Sequence, residues 1–161
     1  LGEGHVTEHM LLHCAEEGVL IAGDQLLPRI TSNVSVLPTE PEADLLAGWF
    51  DSLDRLSQLP EDTLILPSHD LPYRGLATRV AQLHRHHQNQ LDTLFRICAT
   101  ATPTAYEASR QLFAHRAIDA PMDEMMAMGE ALAHLTHLAR QGRLERFQDA
   151  DGRYRYRSLM A

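Results

Sequence analysis

The sequence contains no lysine: all 14 basic residues are arginine, set against 22 Asp and Glu for a formal net charge of -8. The acid is concentrated early. Residues 1–99 hold 14 Asp and Glu against 6 Arg, and residues 100–161 hold 8 of each. Neither stretch has the basic excess that a grip on nucleic acid requires. The all-arginine usage reads as compositional bias rather than function. Cysteine is equally scarce. Cys14 and Cys98 are too few and too far apart for a disulfide framework or a zinc ribbon, and both are expected to be small buried residues in a reducing setting. No run of about 18 apolar residues exists, which excludes a transmembrane helix by length. The cysteine usage suits a reducing cytosol, so a cytoplasmic location is expected, and the first residues have neither the basic start nor the apolar core of a signal peptide. They fall at once on motif-like residues, so further sequence upstream is expected too.

What is present suits a globular chain. Of its 161 residues 44% are hydrophobic, enough for one sizeable core and a small second one. Residues 9–14 and 18–23 are short apolar runs parted by Ala15-Glu16-Glu17-Gly18, a spacing that predicts two antiparallel strands around a tight turn. A long loop should follow from Gln25 to Pro38. Pro41, with Thr39 and Glu42 at capping-box spacing, marks a helix start, and Leu45, Leu46, Trp49, Leu53, Leu56 and Leu59 give it an apolar face. Thr63 to Leu66 is a buried strand that ends at Pro67-Ser68-His69-Asp70. Leu76, Val80, Leu83, His87, Leu91, Leu94 and Cys98 define a helix of about six or seven turns. A capping box of Thr104 and Glu107 opens a short helix, and Met125, Met128, Leu132, Leu135 and Leu138 define another, closed at Gly142. Asp151-Gly152 then predicts a hairpin between residues 144–147 and 153–157. Helices followed by a hairpin describe a winged helix. The boundary between domains should fall near Ala99 to Thr102, giving domains of residues 1–99 and 100–161.

Three short motifs each put a metal-ligating side chain at a strand end: Gly4-His5-Val6-Thr7-Glu8-His9, Gly23-Asp24-Gln25 and Pro67-Ser68-His69-Asp70. Imidazole suits zinc and similar ions, and a carboxylate can bridge a pair of them. Glycine beside His5 and Asp24 permits the tight turns that aim such side chains out of a sheet. Each motif alone is as readily a solvated histidine or a plain turn. Their order and spacing carry the weight.

That order, Gly-His, hairpin, Gly-Asp, helix and strand, Pro-x-His, resembles the later metal motifs of the metallo-β-lactamase superfamily. The segment from Gly23 to Ser35 is similar to the branch of that superfamily with a C-terminal winged-helix extension, the branch that includes beta-lactamase-like protein 2. Residues Thr102 to Glu107 and Leu135 to Leu144 resemble the extension itself. The resemblance covers essentially the whole chain. It implies an α+β fold: the C-terminal half of a metallo-β-lactamase αββα sandwich followed by a small winged-helix domain. It further implies His5 as a terminal ligand of one metal, Asp24 as the bridging ligand and His69 as a terminal ligand of the second. The cofactor would be two divalent ions, zinc by expectation, with Fe or Mn as alternatives. The reaction would be two-metal hydrolysis of an ester, thioester or phosphodiester. The superfamily's first motif, His-x-His-x-Asp-His, is absent from these 161 residues, so the isolated chain is expected to hold an incomplete site and to be inactive.

Other residues invite smaller roles. Arg29, Asn33, Tyr73 and Arg74 lie in loops after Asp24 and His69 and are candidates for holding an anionic or carbonyl group, with loop-stabilising hydrogen bonds as the plainer role. His9 should share a strand face with Leu11 and His13, near His5 or beside a polar partner. His84, His86 and His87 should serve surface and helix packing, since neighbours on a helix diverge. Met122, Met125, Met126 and Met128 should fill a small core. Arg153, Arg155 and Arg157 should share one face of the last strand, with Tyr154 and Tyr156 on the other. The partners expected are a small-molecule or phosphodiester substrate and further copies of the chain in a homo-oligomer, with no membrane; the charge balance does not support nucleic acid. The rival reading is a non-catalytic winged-helix module for dimerisation or nucleic-acid contact.

Overall fold

A computed structural model describes residues 1–36, 40 and 42–159. Thr39 and Pro41 of the first capping box lie outside them. The chain divides into two compact units. One comprises Leu1–Val34 with Ala47–His86, and the other Ser35–Leu46 with the chain from His87 on.

The first unit is built on a three-stranded sheet of β1 (Leu12–Cys14), β2 (Val19–Gly23) and β3 (Leu64–Pro67), in that order. β1 runs antiparallel to β2 and β3 parallel to it. A parallel neighbour requires a crossover, which α1 (Leu45–Leu56) supplies between β2 and β3. Along β2 the alternation is strict: Leu20 and Ala22 are buried while Ile21 is half exposed. Ile65 of β3, Leu26 and Leu27 of the next loop, Trp49 and Leu53 of α1, and Leu76, Val80 and Leu83 of α2 (Leu76–Thr100) are buried with them. The other sheet face carries the cross-strand pair Leu12 and Ile21, both exposed.

Two expectations change here. β1 is shorter than the apolar run 9–14. His9 instead makes an isolated antiparallel bridge to Gly2. Gly4 and Glu8, both at positive φ (98° and 55°), turn the chain back to permit that pairing. α1 starts at Leu45, not near Pro41. The acids before it are engaged elsewhere, Glu42 by Arg140 and Arg146, and Asp44 by His137. Cys14 corrects a third expectation, since it is exposed on the short edge strand; Cys98 is buried, which pushes its thiol up to about 11. His84 stacks on Phe50 at 5.0 Å and meets Asp54 at 2.9 Å, a packing role as expected.

The second unit takes the C-terminal half of α2, then α3 (Ala105–Leu112), α4 (Pro121–Arg140), β4 (Leu144–Gln148) and β5 (Tyr154–Ser158). The capping box is present in full: Thr104 Oγ1 accepts from Glu107 N at 3.2 Å, and Thr104 N donates to Glu107 Oε2 at 2.8 Å. β4 and β5 pair antiparallel, but the turn is wider than a two-residue Asp-Gly connection. Asp149 Oδ1 accepts the backbone N–H groups of both Asp151 and Arg153 at 3.0 Å, holding a five-residue loop with Gly152 at φ 77°. On β5, Tyr156 is buried, whereas Arg155 bonds Asp149, Glu107 and the carbonyl of Thr102.

α4 departs most from its sequence pattern. Met122, Met125, Met126 and Met128 are 38% to 60% exposed, and the buried run begins only at Gly129. Small residues decide where the contact forms. Gly129, Ala131 and Ala133 admit close approach, and Val36 N donates to Gly129 O at 3.2 Å. A Cβ on Gly129 would stand 2.9 Å from Ser35 Cβ. Helix propensity alone would make Gly129→Ala stabilising by about 1 kcal/mol. The collision reverses the sign, and we expect a loss of about 1–3 kcal/mol in urea denaturation. A stability gain would sink this account of the contact.

Within the same unit His87 and His134 are both fully buried and meet ring to ring, His87 Nδ1 lying 3.0 Å from His134 Nε2. His134 Nδ1 lies 2.7 Å from the carbonyl of Glu130, which can only accept, so that nitrogen carries the proton. Gln90 donates to the Glu130 carboxylate at 3.2 Å. The buried His87 goes beyond the surface and packing role expected of it.

Candidate metal centre

The three motifs converge in the first unit. β2 slips register between Ile21 and Gly23, and Gly23 takes φ 52°, a left-handed conformation that costs glycine little. The irregularity releases the chain from the sheet, and Asp24 leaves it there. Its Oδ2 lies 3.3 Å from His5 Nε2 and its Oδ1 3.3 Å from His69 Nε2. The carboxylate therefore sits between the two imidazoles, one oxygen toward each.

The surroundings hold this geometry. Ser68 donates its hydroxyl to Asp24 Oδ1 and its backbone N–H to Gly23 O. Ser32 donates to the Asp24 carbonyl. Gln25, fully buried, donates to Glu3 O at 3.1 Å and so fixes the segment leading to His5. His9 lies with its ring centroid 6.1 Å from that of His5, and its Nε2 is 2.7 Å from where a Cβ on Gly23 would stand. Its Nδ1 is buried with no hydrogen-bond partner among the described residues. The hydroxyl of Ser68, and then the charges of His5 and His69, hold the Asp24 carboxyl below its usual range, with burial opposing them.

These residues fit a divalent cation by their donor chemistry. His5 Nδ1 lies 2.8 Å from the carbonyl of Asn33, an acceptor only, so Nδ1 bears the proton. A His5 that ligates a metal is unprotonated at Nε2 and would turn its lone pair there toward a carboxylate oxygen, two acceptors 3.3 Å apart. Such an arrangement calls for a positive charge between them. Two ligands about 2.1 Å from one tetrahedral ion stand about 3.4 Å from each other, close to the separation found.

The loop candidates separate. Asn33 contributes its backbone carbonyl to His5. Tyr73 donates its hydroxyl to Leu26 O at 3.3 Å, and burial pushes the phenol up to about 12. Arg29 and Arg74 are exposed. Sequence reasoning missed Arg79, which is buried and donates Nε to Leu27 O at 2.6 Å and a terminal nitrogen to Ile30 O at 2.7 Å. The signal was present: an arginine three residues after Leu76, on the apolar face that Val80 and Leu83 continue.

The chain is similar to several known proteins. Residues 91–159 match the family model "Metallo-beta-lactamase-like, C-terminal domain". The chain is 28% identical over 114 residues to "Probable metallo-hydrolase YqjP" of Bacillus subtilis, covering 68% of this chain and 35% of that protein. It is 34% identical over 74 residues to a hydroxyacylglutathione hydrolase of Tolumonas auensis, covering 46% and 25%. Among solved structures, a beta-lactamase domain protein from Burkholderia ambifaria superposes with a TM-score of 0.94 at 44% identity, over 98% of this chain and 46% of that one. A metallo-beta-lactamase family protein from Thermus thermophilus gives 0.83 at 32%, over 97% and 47%. The chain thus spans about half the length of these structures and less of the curated relatives. No helix among the described residues is long and apolar enough to cross a membrane. Family model, curated hydrolases and solved structures agree in what the chain is similar to: its mixed α+β structure resembles proteins of the metallo-β-lactamase superfamily.

Proposed function

We propose that this chain contributes part of a dinuclear metal site to a hydrolase that cleaves an ester, thioester or phosphodiester. The single observation that carries the reading is Asp24, whose two carboxylate oxygens face His5 and His69 at equal distances. His5 would hold one ion, His69 the other, and Asp24 would bridge them, with zinc as the metal of choice for this donor set. Two such ions, when bound, activate a water and polarise the substrate oxygen. The chain's own part is positional. Asn33 fixes the His5 tautomer, while Ser68 and Ser32 fix the carboxylate and its backbone. Exposed Arg29 and Arg74 are the better candidates for an anionic substrate group, because Tyr73 and Asn33 are already engaged in holding loops. In this reading residues 1–99 belong to the metallo-β-lactamase-like domain and residues 100–161 form the winged-helix extension, as in the branch that includes beta-lactamase-like protein 2.

Three ligands over two ions leave each ion undersupplied, so ligands beyond these three complete the site. The purified 161-residue chain, titrated with zinc and offered a test ester, thioester and phosphodiester, should load weakly and turn over none of them. Two tightly held equivalents with turnover would overturn the need for further ligands. Zinc uptake indifferent to the loss of Asp24 would overturn the site itself and leave the interaction-module reading in its place.

A further inference from the structure

The second unit contains a cavity of about 240 Å³ lined by Glu42, Thr136, Ala139, Arg140, Arg146 and Tyr156. Its polar lining is specialised. Arg146 grips Glu42 Oε1 at 2.6 Å, and its guanidinium lies over the Tyr154 ring at 4.6 Å, which fixes its direction. Arg140 reaches the same stretch of chain through the Glu42 carbonyl at 3.0 Å. Tyr156, 2% exposed, adds its phenol to the lining.

A structural ion pair accounts for Arg146 and Glu42 only. It requires no cavity and no second arginine beside it. The lining also keeps a positive surplus, two guanidiniums against one carboxylate. The adjacent acid, Asp44, is engaged by His137 Nδ1 at 3.0 Å. Two guanidiniums and a phenol lining one small space form a donor set for an oxyanion.

We propose that this cavity binds a small molecule through a carboxylate or phosphate group, held by Arg140, Arg146 and Tyr156, with the Glu42 carboxylate as an internal competitor on Arg146. Glu42 is suited to that part because its side chain is 58% exposed and can swing out. The volume suits an inorganic phosphate or a short organic acid and falls below the usual drug-sized range.

The test is calorimetric titration of the metal-free 161-residue chain with inorganic phosphate and, separately, with succinate, at constant ionic strength in chloride. Saturable one-to-one binding of at least one probe is expected; the tighter one identifies the group as phosphate or carboxylate. Glu42→Gln should tighten binding about tenfold by removing the competitor, and Arg146→Met should weaken it at least tenfold. Because Arg140 is exposed, Arg140→Gln leaves folding intact and should also weaken binding. No saturable binding to either the parent or Glu42→Gln protein would overturn the proposal. So would equal affinity in parent, Arg140→Gln and Arg146→Met proteins.

Discussion

Replacing Asp24 by Ala should lower zinc affinity by at least about 100-fold, because it removes the one group that faces both candidate histidines. Without the carboxylate, His5 and His69 lose their shared partner and neither retains a second ligand from this trio. Ser68→Ala should cost less, about tenfold, since the ligand survives and only its orientation loosens. Asp92, an exposed acid on α2, serves as the control, and its replacement should change nothing. A competition titration with a chromophoric zinc chelator reads all three. Equal affinity in the Asp24→Ala and parent proteins would show that these residues do not bind the metal.

The second large effect is expected far from any ligand. Arg79→Met should destabilise the first unit by about 3 kcal/mol in urea denaturation and weaken zinc binding as well. Methionine keeps the aliphatic bulk but leaves the carbonyls of Leu27 and Ile30 without their charged donor. Those carbonyls belong to the loop that begins at Asp24 and ends at Asn33, whose own carbonyl sets the His5 tautomer. Loosening the middle of the loop should therefore reach both of its chemical ends. Arg79→Lys retains charge but not the fork that reaches two carbonyls, so it should recover only part of the stability. Full recovery by lysine would show that charge, not geometry, holds the loop.

Much of this was legible beforehand, and what was not has identifiable causes. The strands, helices and hairpin followed from apolar periodicity, and the Thr104 cap from one pair of residues. The meeting of His5, Asp24 and His69 was an expectation of motif order, and its geometry is what the structure adds. Boundaries failed where polar side chains had tertiary partners. Glu42 looked like part of the first turn of a helix, but arginines distant in sequence engage it outside that helix, and a histidine engages Asp44 beside it. The methionines of α4 failed for another reason: their spacing was correct for a buried face, yet the contact formed further along, where glycine and alanine allow the backbones close. The role of Gln25 was hidden because its work is done on a backbone carbonyl, which no residue pattern displays, whereas the place of Arg79 on the apolar face of α2 was there to be read.

The buried histidine pair has a consequence for how α2 and α4 recognise each other. With both rings neutral, the Glu130 carbonyl assigns the proton of His134, and His134 in turn assigns that of His87, so each ring presents one nitrogen as donor and the other as acceptor in a fixed sense. A slip of either helix by one residue would separate the rings, and a flip of either ring would put a carbon where a bonding nitrogen stands. Apolar side chains at these positions would tolerate several alignments at similar cost, but the relay tolerates one. It works as a keyed joint, trading some burial energy for a single alignment of the two helices.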